Sequence, residues 1–128
     1  MNNNFDFECN VRSYEEKLFD AEQFLTDVYI DINNVIDDSN ITSTRNFRNE
    51  KYKYGNKTIM ILAIHGKTLN VYLPLNPEKF KGTILKFDDV SNMKTYKDFP
   101  MRIKISNKTQ LKETLKLIKL VKLKAKGW

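Results

Sequence analysis

The pattern of apolar and polar positions changes period twice along the chain. Ser13 followed by Glu16 matches a capping box, in which each side chain satisfies an orphan backbone N–H of the other residue. From there Leu18, Ala21, Leu25, Val28, Ile32 and Val35 recur three and four apart, which is one face of a helix. Phe24, Tyr29 and Ile36 widen that stripe, so the helix is expected to lie on a broad surface such as a sheet. Asp37-Asp38-Ser39-Asn40 ends it. Its opposite face carries Glu16, Asp20, Glu22, Asp27 and Asp31.

The period then falls to two. Ile41 to Arg48 alternates imperfectly and is rich in Thr, and Lys51-Tyr52-Lys53-Tyr54 alternates strictly. Gly55-Asn56 turns the chain into Thr58–Ile64, which is apolar on both faces and is therefore expected at the sheet centre. His65-Gly66-Lys67 turns it again into Thr68–Leu73. Pro74 and Pro77 stop that strand, and Asn76–Phe80 reads as one helical turn. Residues 81–100 are irregular, with a short strand expected over Thr83–Phe87 and loop over Asp88–Lys97. Met101–Ile105 alternates as a last strand. Asn107 with Gln110 then caps a second helix, whose inner face is Leu111, Leu115, Ile118 and Val121.

The expected fold is α+β: an N-terminal helix, an antiparallel sheet of about four to five strands and a C-terminal helix, with both helices on one sheet face. The chain has 128 residues, which fits one domain. We expect a flexible arm over 1–12 and a single α+β domain over 13–128. Fifteen aromatics argue against intrinsic disorder. Cys9 is the single cysteine, so no internal disulfide points to secretion. The start of the chain has no signal-peptide pattern, and the longest apolar run, Ile59–Ile64, is far below the ~20 residues of a membrane span. The expected location is cytoplasmic.

Charge is unevenly spread. Residues 1–64 carry a net −4 and residues 65–128 a net +10. Such asymmetry is a hint of contact with nucleic acid or an anionic membrane, and it equally serves solubility. The abundance of Lys and Asn resembles the codon bias of an AT-rich genome, which weakens any argument from lysine number alone.

Little catalytic chemistry is available. Cys9 and His65, the only Cys and His, cannot make a zinc site alone. A catalytic Cys–His couple needs the N-terminal arm docked on His65, which otherwise serves as a turn residue. Asp37-Asp38 and Asp88-Asp89 suit caps and turns better than magnesium, because adjacent loop residues point apart. The four glycines are isolated, so there is no phosphate loop. No metal, no cofactor and no catalytic residue is expected, and the chain reads as a non-enzyme.

Two basic constellations remain. Lys112, Lys116, Lys119 and Lys122 fall three and four apart on the last helix, with Lys108, Lys124 and Lys126 near them. Such a stripe can be a solvated face, track phosphates or lie on an anionic membrane. The second constellation is Arg45, Arg48, Lys51, Tyr52, Lys53, Tyr54 and Lys57. Cations interleaved with aromatics on strands suit nucleic acid, charge for phosphate and rings for bases. The plainer alternative is a half-exposed strand with both tyrosines on its inner face.

Several patches carry a resemblance: Ser13-Tyr14 with Lys17-Leu18, Arg45 before Lys51–Gly55, the run Ile64–Pro77 with its Gly66-Lys67-Thr68-Leu69 strand start, Asp89-Val90-Ser91, Lys94 with Tyr96, Pro100, and Leu117-Ile118. On these the chain resembles a family of small bacterial domains of unassigned function. Some of them are labelled "predicted transport protein", and some are appended to nuclease-like domains. The resemblance implies a helix packed on an antiparallel sheet with a second helix after it, and no catalytic residues. Tyr52 stands where a phenylalanine is usual in that family, and Asn76 where an aspartate is.

The expected function is a non-catalytic accessory domain that binds DNA or RNA mainly through phosphate, using Arg45, Arg48, Lys51, Lys53, Lys57, Lys67, Lys112, Lys116 and Lys119. The alternative is a protein-interaction module using Leu120, Leu123 and Trp128, an aromatic of the type enriched in binding hot spots.

Overall fold

A computed structural model describes residues 12–127, so the expected arm, Cys9 and Trp128 lie outside the described residues. The fold is α+β. Helices α1 (Tyr14–Phe19) and α2 (Gln23–Ile36) lead into strands β1 (Ile41–Arg45), β2 (Asn49–Tyr54), β3 (Lys57–His65) and β4 (Thr68–Leu73). A 3₁₀ turn at Pro77–Phe80, the two-residue strand β5 (Asp88–Asp89) and a second 3₁₀ turn at Lys94–Tyr96 follow. Strand β6 (Met101–Ile105) and helix α3 (Lys108–Ala125) close the chain.

The sheet has six strands in the order β1-β2-β3-β4-β6-β5, each antiparallel to its neighbours. The first four form the expected meander, and β3, apolar on both faces, sits third. The extra strand is β5: Asp88 and Asp89 pair with Arg102 and Met101. The strand expected over Thr83–Phe87 does not form. Instead Leu85 and Phe87 turn toward the helix-side core, and the ladder begins one residue later.

The helix expected from Ser13 onward is broken. The capping box is present, with Ser13 Oγ accepting from the Glu16 N–H at 3.1 Å and Glu16 Oε1 accepting from the Ser13 N–H at 3.0 Å. After Phe19 the chain leaves helical geometry and restarts behind an extended Glu22. The spacing of Leu18, Ala21 and Leu25 runs through the break, so periodicity does not reveal it. The Tyr14 N–H donates to the Phe47 carbonyl at 2.7 Å, which ties the first turn of α1 to the β1–β2 turn.

All three helices contribute to one side of the sheet. Tyr14, Val28, Ile32, Leu62, Val71, Ile103 and Ile118 are among the fully buried residues of that core. Between β2 and β3 the register shifts: Tyr52 pairs with Met60, but Lys53 pairs with Thr58. The unpaired Ile59 is a bulge, and it lets Ile59 and Met60, consecutive residues, both enter the helix-side core. On the other face Ile61, Ala63, Tyr72 and Val90 form a smaller cluster covered by Tyr96 and Phe99. The irregular segment before β6 is thus a partial lid on the face the helices leave bare.

Candidate nucleic-acid interface

Strand β2 decides which charges face outward. Its side chains alternate, so Glu50, Tyr52 and Tyr54 share the helix side while Asn49, Lys51 and Lys53 share the open side. Glu50 is buried, and its Oε1 accepts from the Tyr14 hydroxyl at 3.0 Å and the Tyr29 hydroxyl at 2.9 Å. Arg45 Nε lies 3.5 Å from the same oxygen, and Arg45 also donates to the Tyr29 hydroxyl at 2.9 Å and to Glu15 at 3.0 Å. The Tyr52 hydroxyl donates to Asn33 Oδ1 at 2.8 Å. A one-residue slip would drive Lys51 and Lys53 into this core and orphan a buried carboxylate, so the register is strongly specified.

Burial and the nearby Glu50 carboxylate raise the pKa values of Tyr14 and Tyr52 far above the ordinary tyrosine range. Both rings therefore stay neutral and inside. Tyr52 and its partner in the alternation, Tyr54, both face the helix side, as the plainer of the two readings has it.

The open face is polar at its β1–β2 end, where Thr42 and Thr44 pair with Lys53 and Lys51. Toward the β3–β4 turn it deepens into a pocket of about 400 Å³. The small side chain of Ala63 leaves the space, and Tyr72 and Tyr96 wall it, their rings stacked 3.8 Å apart and 11° from parallel. Arg12, Lys17, Arg48, His65 and Arg102 surround it, with Phe47 and Met93 exposed at the rim. No carboxylate is among the described residues that line it. Arg12 is paired with Asp20, and Arg102 with Asp88 at 3.1 Å. Lys17 reaches the Ile64 carbonyl at 3.4 Å. The Arg48 guanidinium makes no ion pair among the described residues.

His65 registers the resulting field. Its pKa is lowered, first by burial and then by the positive charges of Lys17, Arg102 and Lys104. Beside it on the same face, Asn70 is almost fully buried as the cross-strand neighbour of Ala63. Neither atom of its amide has a hydrogen-bond partner among the described residues.

The basic residues singled out from the sequence do not form one surface. Arg48, Lys51 and Lys53 belong to the open face. Arg45 is turned to the helix side and held by Glu15, Tyr29 and Glu50. Lys57 pairs with Tyr54 at the hairpin end, and Lys67, at the other end of β3, pairs with Glu22 at 3.0 Å. Lys112, Lys116 and Lys119 lie in the helical layer, across the sheet from Lys51. They line a groove of about 650 Å³ whose other wall is Asp27 and Asp31 of α2. Lys122 is occupied, donating to the Val35 and Asp37 carbonyls at 3.1 and 2.6 Å and so capping the C-terminus of α2. Leu120 and Leu123 are exposed on α3.

Arg12, Lys17, Phe47, Tyr96 and Arg102 were not singled out as site residues by the sequence. Arg102 was accessible to pattern reasoning, since Met101-Arg102-Ile103-Lys104-Ile105 places Arg102 and Lys104 together on the face opposite the core. The others converge only through the α1 break and the 90–99 excursion. Among the described residues no group of three or more His, Cys, Asp or Glu side chains is placed to hold a metal ion, and no helix is long and apolar enough to cross a membrane. No protein-family model matches the chain, and neither a curated protein nor a solved structure is detectably similar to it.

Proposed function

We propose that this chain is a non-catalytic accessory domain that binds single-stranded nucleic acid through its phosphates, along the open face of the sheet. The observation that carries this reading is the pocket with cations and no lining carboxylate, opening onto the face that also presents Lys51 and Lys53. Alternate residues on a strand stand about 7 Å apart, so Lys51 and Lys53 make a track leading away from the pocket. Phosphates on such a track release counterions, which gives affinity without sequence preference. Phe47 at the rim offers a ring on which a splayed base can stack. The Arg48 guanidinium, without an ion pair among the described residues, is a fork that suits a phosphate better than a lysine point charge does.

A pocket of about 400 Å³ has room for a nucleotide-sized group and not for a duplex, so single strands are the expected ligand class. The Lys112 stripe is a poorer phosphate site, because Asp27 and Asp31 share its groove. The test is fluorescence anisotropy with single- and double-stranded DNA and RNA oligonucleotides at low salt. Micromolar or weaker binding, by order of magnitude, with single strands preferred supports the reading. Absence of binding to all four abandons it.

A further inference from the structure

Helices α2 and α3 leave an outward face that nothing else among the described residues covers. Their directions follow from their contacts. Lys122 reaches Val35 and Asp37, and Lys126 pairs with Asp38, so the C-terminal ends are together. Phe24 and Leu111 share the groove near the opposite ends, so the two helices run parallel. Between them is an apolar floor of Phe24, Leu111 and Leu115, with Ile30 half exposed on its edge. One wall is acidic, with Asp27 and Asp31, and the other is basic, with Lys112, Lys116 and Lys119. No ion pair joins the two walls among the described residues. Lys116 is bonded to Glu113 on its own helix, and Asp27 accepts from Gln23 on its own helix.

A surface with an acidic and a basic half is complementary to itself only in certain orientations. A twofold axis across the helix pair stacks α2 on α2 and α3 on α3, acid on acid and base on base. A twofold axis along the pair lays α2 of one copy over α3 of the other, in the same direction and at the same level. The Lys122–Val35 contact spans 87 positions, so Asp27 is near the level of Thr114 and Asp31 near that of Ile118. In the second arrangement both aspartates therefore meet Lys112, Lys116 and Lys119 of the other copy, twice over by symmetry. Like charges placed opposite one another select against the first arrangement.

We propose that this face binds a second copy of the chain, in a symmetric dimer whose twofold axis runs along α2 and α3. The apolar floors close on each other, and the charged walls exchange partners between copies. The two open sheet faces then point outward on opposite sides of the dimer. The proposal does not depend on what those faces bind.

Sedimentation or light scattering of the full chain, treated with nuclease, tests it at micromolar concentrations. The expected mass is twice that of the monomer. D27K/D31K and K112E/K116E/K119E are each expected to be monomeric. An equimolar mixture of the two is expected to return to twice the monomer mass, because every interfacial contact in the mixed dimer is again acid against base. A monomeric wild type, a dimer that vanishes with nuclease treatment, or a mixture of folded variants that stays monomeric overturns the proposal. Where circular dichroism shows that a charge-reversed variant has not folded, Ile30→Glu at its exposed position takes its place. A dimeric Ile30→Glu also overturns the proposal.

Discussion

The Tyr14 hydroxyl donates to the Glu50 carboxylate at 3.0 Å, joining the first turn of the first helix to the second strand across 36 residues. Tyr29 donates to the same oxygen, and Arg45 supplies the countercharge. These contacts join α1, α2 and β1 to one carboxylate of β2, whose inward facing goes with the outward display of Lys51 and Lys53.

Removing the Tyr14 hydroxyl deletes one hydrogen bond to a charged group. Tyr14→Phe is expected to cost about 1.5–3 kcal/mol in urea denaturation. Glu50→Ala leaves Arg45 and two tyrosine hydroxyls without their shared acceptor and is expected to cost at least ~3 kcal/mol. A Glu50→Ala variant as stable as the wild type contradicts the role given to this carboxylate.

The same network sets an alkaline limit. Tyr14 and Tyr52 hold their protons in the folded chain well above the ordinary value of 10.0, chiefly through burial and secondly through the charge of Glu50. Above that ordinary value the unfolded chain releases these protons and the folded chain does not. Stability is therefore fully present below pH 10 and declines as the pH rises beyond it, by about 1.4 kcal/mol per pH unit for each tyrosine. Tyr14→Phe is expected to make the decline shallower by one such increment. Denaturation curves at stepped alkaline pH measure it, and identical slopes in the two proteins refute it.

Much of this architecture is legible in the sequence because it rests on local period and caps. The Ser13 box, the Asn107 cap, both hairpin glycines and the apolar Ile59–Ile64 run each specify their own element. What the sequence leaves hidden depends on distant partners. The break after Phe19 lies inside an unbroken apolar spacing, and the inward turn of Arg45 is held by Glu15, Tyr29 and Glu50. The separation of the basic residues into two layers depends on which side of the sheet α3 packs. The short β5 strand carries no apolar alternation at all, since both of its residues are aspartates.

His65 is expected to titrate below the usual histidine value of 6.5, since burial and the charges of Lys17, Arg102 and Lys104 disfavour its protonated form. As the pH falls through 6.5 the unfolded chain takes up the proton first, so this residue subtracts stability until the lower folded value is reached. A bound phosphate reverses part of the field. NMR titration of the imidazole with and without inorganic phosphate is expected to show an upward move on binding. A downward move or none argues against anion binding in the pocket.

Asn70 buries an amide without a partner among the described residues, which is costly for a polar group. Asn70→Val, which removes the amide, stays nearer in size and suits a strand, is expected to leave stability unchanged or raise it by about 1 kcal/mol. A loss beyond ~2 kcal/mol shows that the amide is paired in the folded protein and not orphaned.

On the function proposed above, phosphates are bound on the open sheet face and not along the last helix. The salt dependence of oligonucleotide binding, measured for two triple variants beside the wild type, tests it most directly. For a single strand each phosphate contact contributes about 0.7 to the slope of log affinity against log salt. R48Q/K51Q/K53Q is expected to lower the affinity at low salt and to reduce that slope by about 2, while K112Q/K116Q/K119Q leaves both close to wild type. A slope lost in the helix variant and kept in the sheet variant contradicts the account.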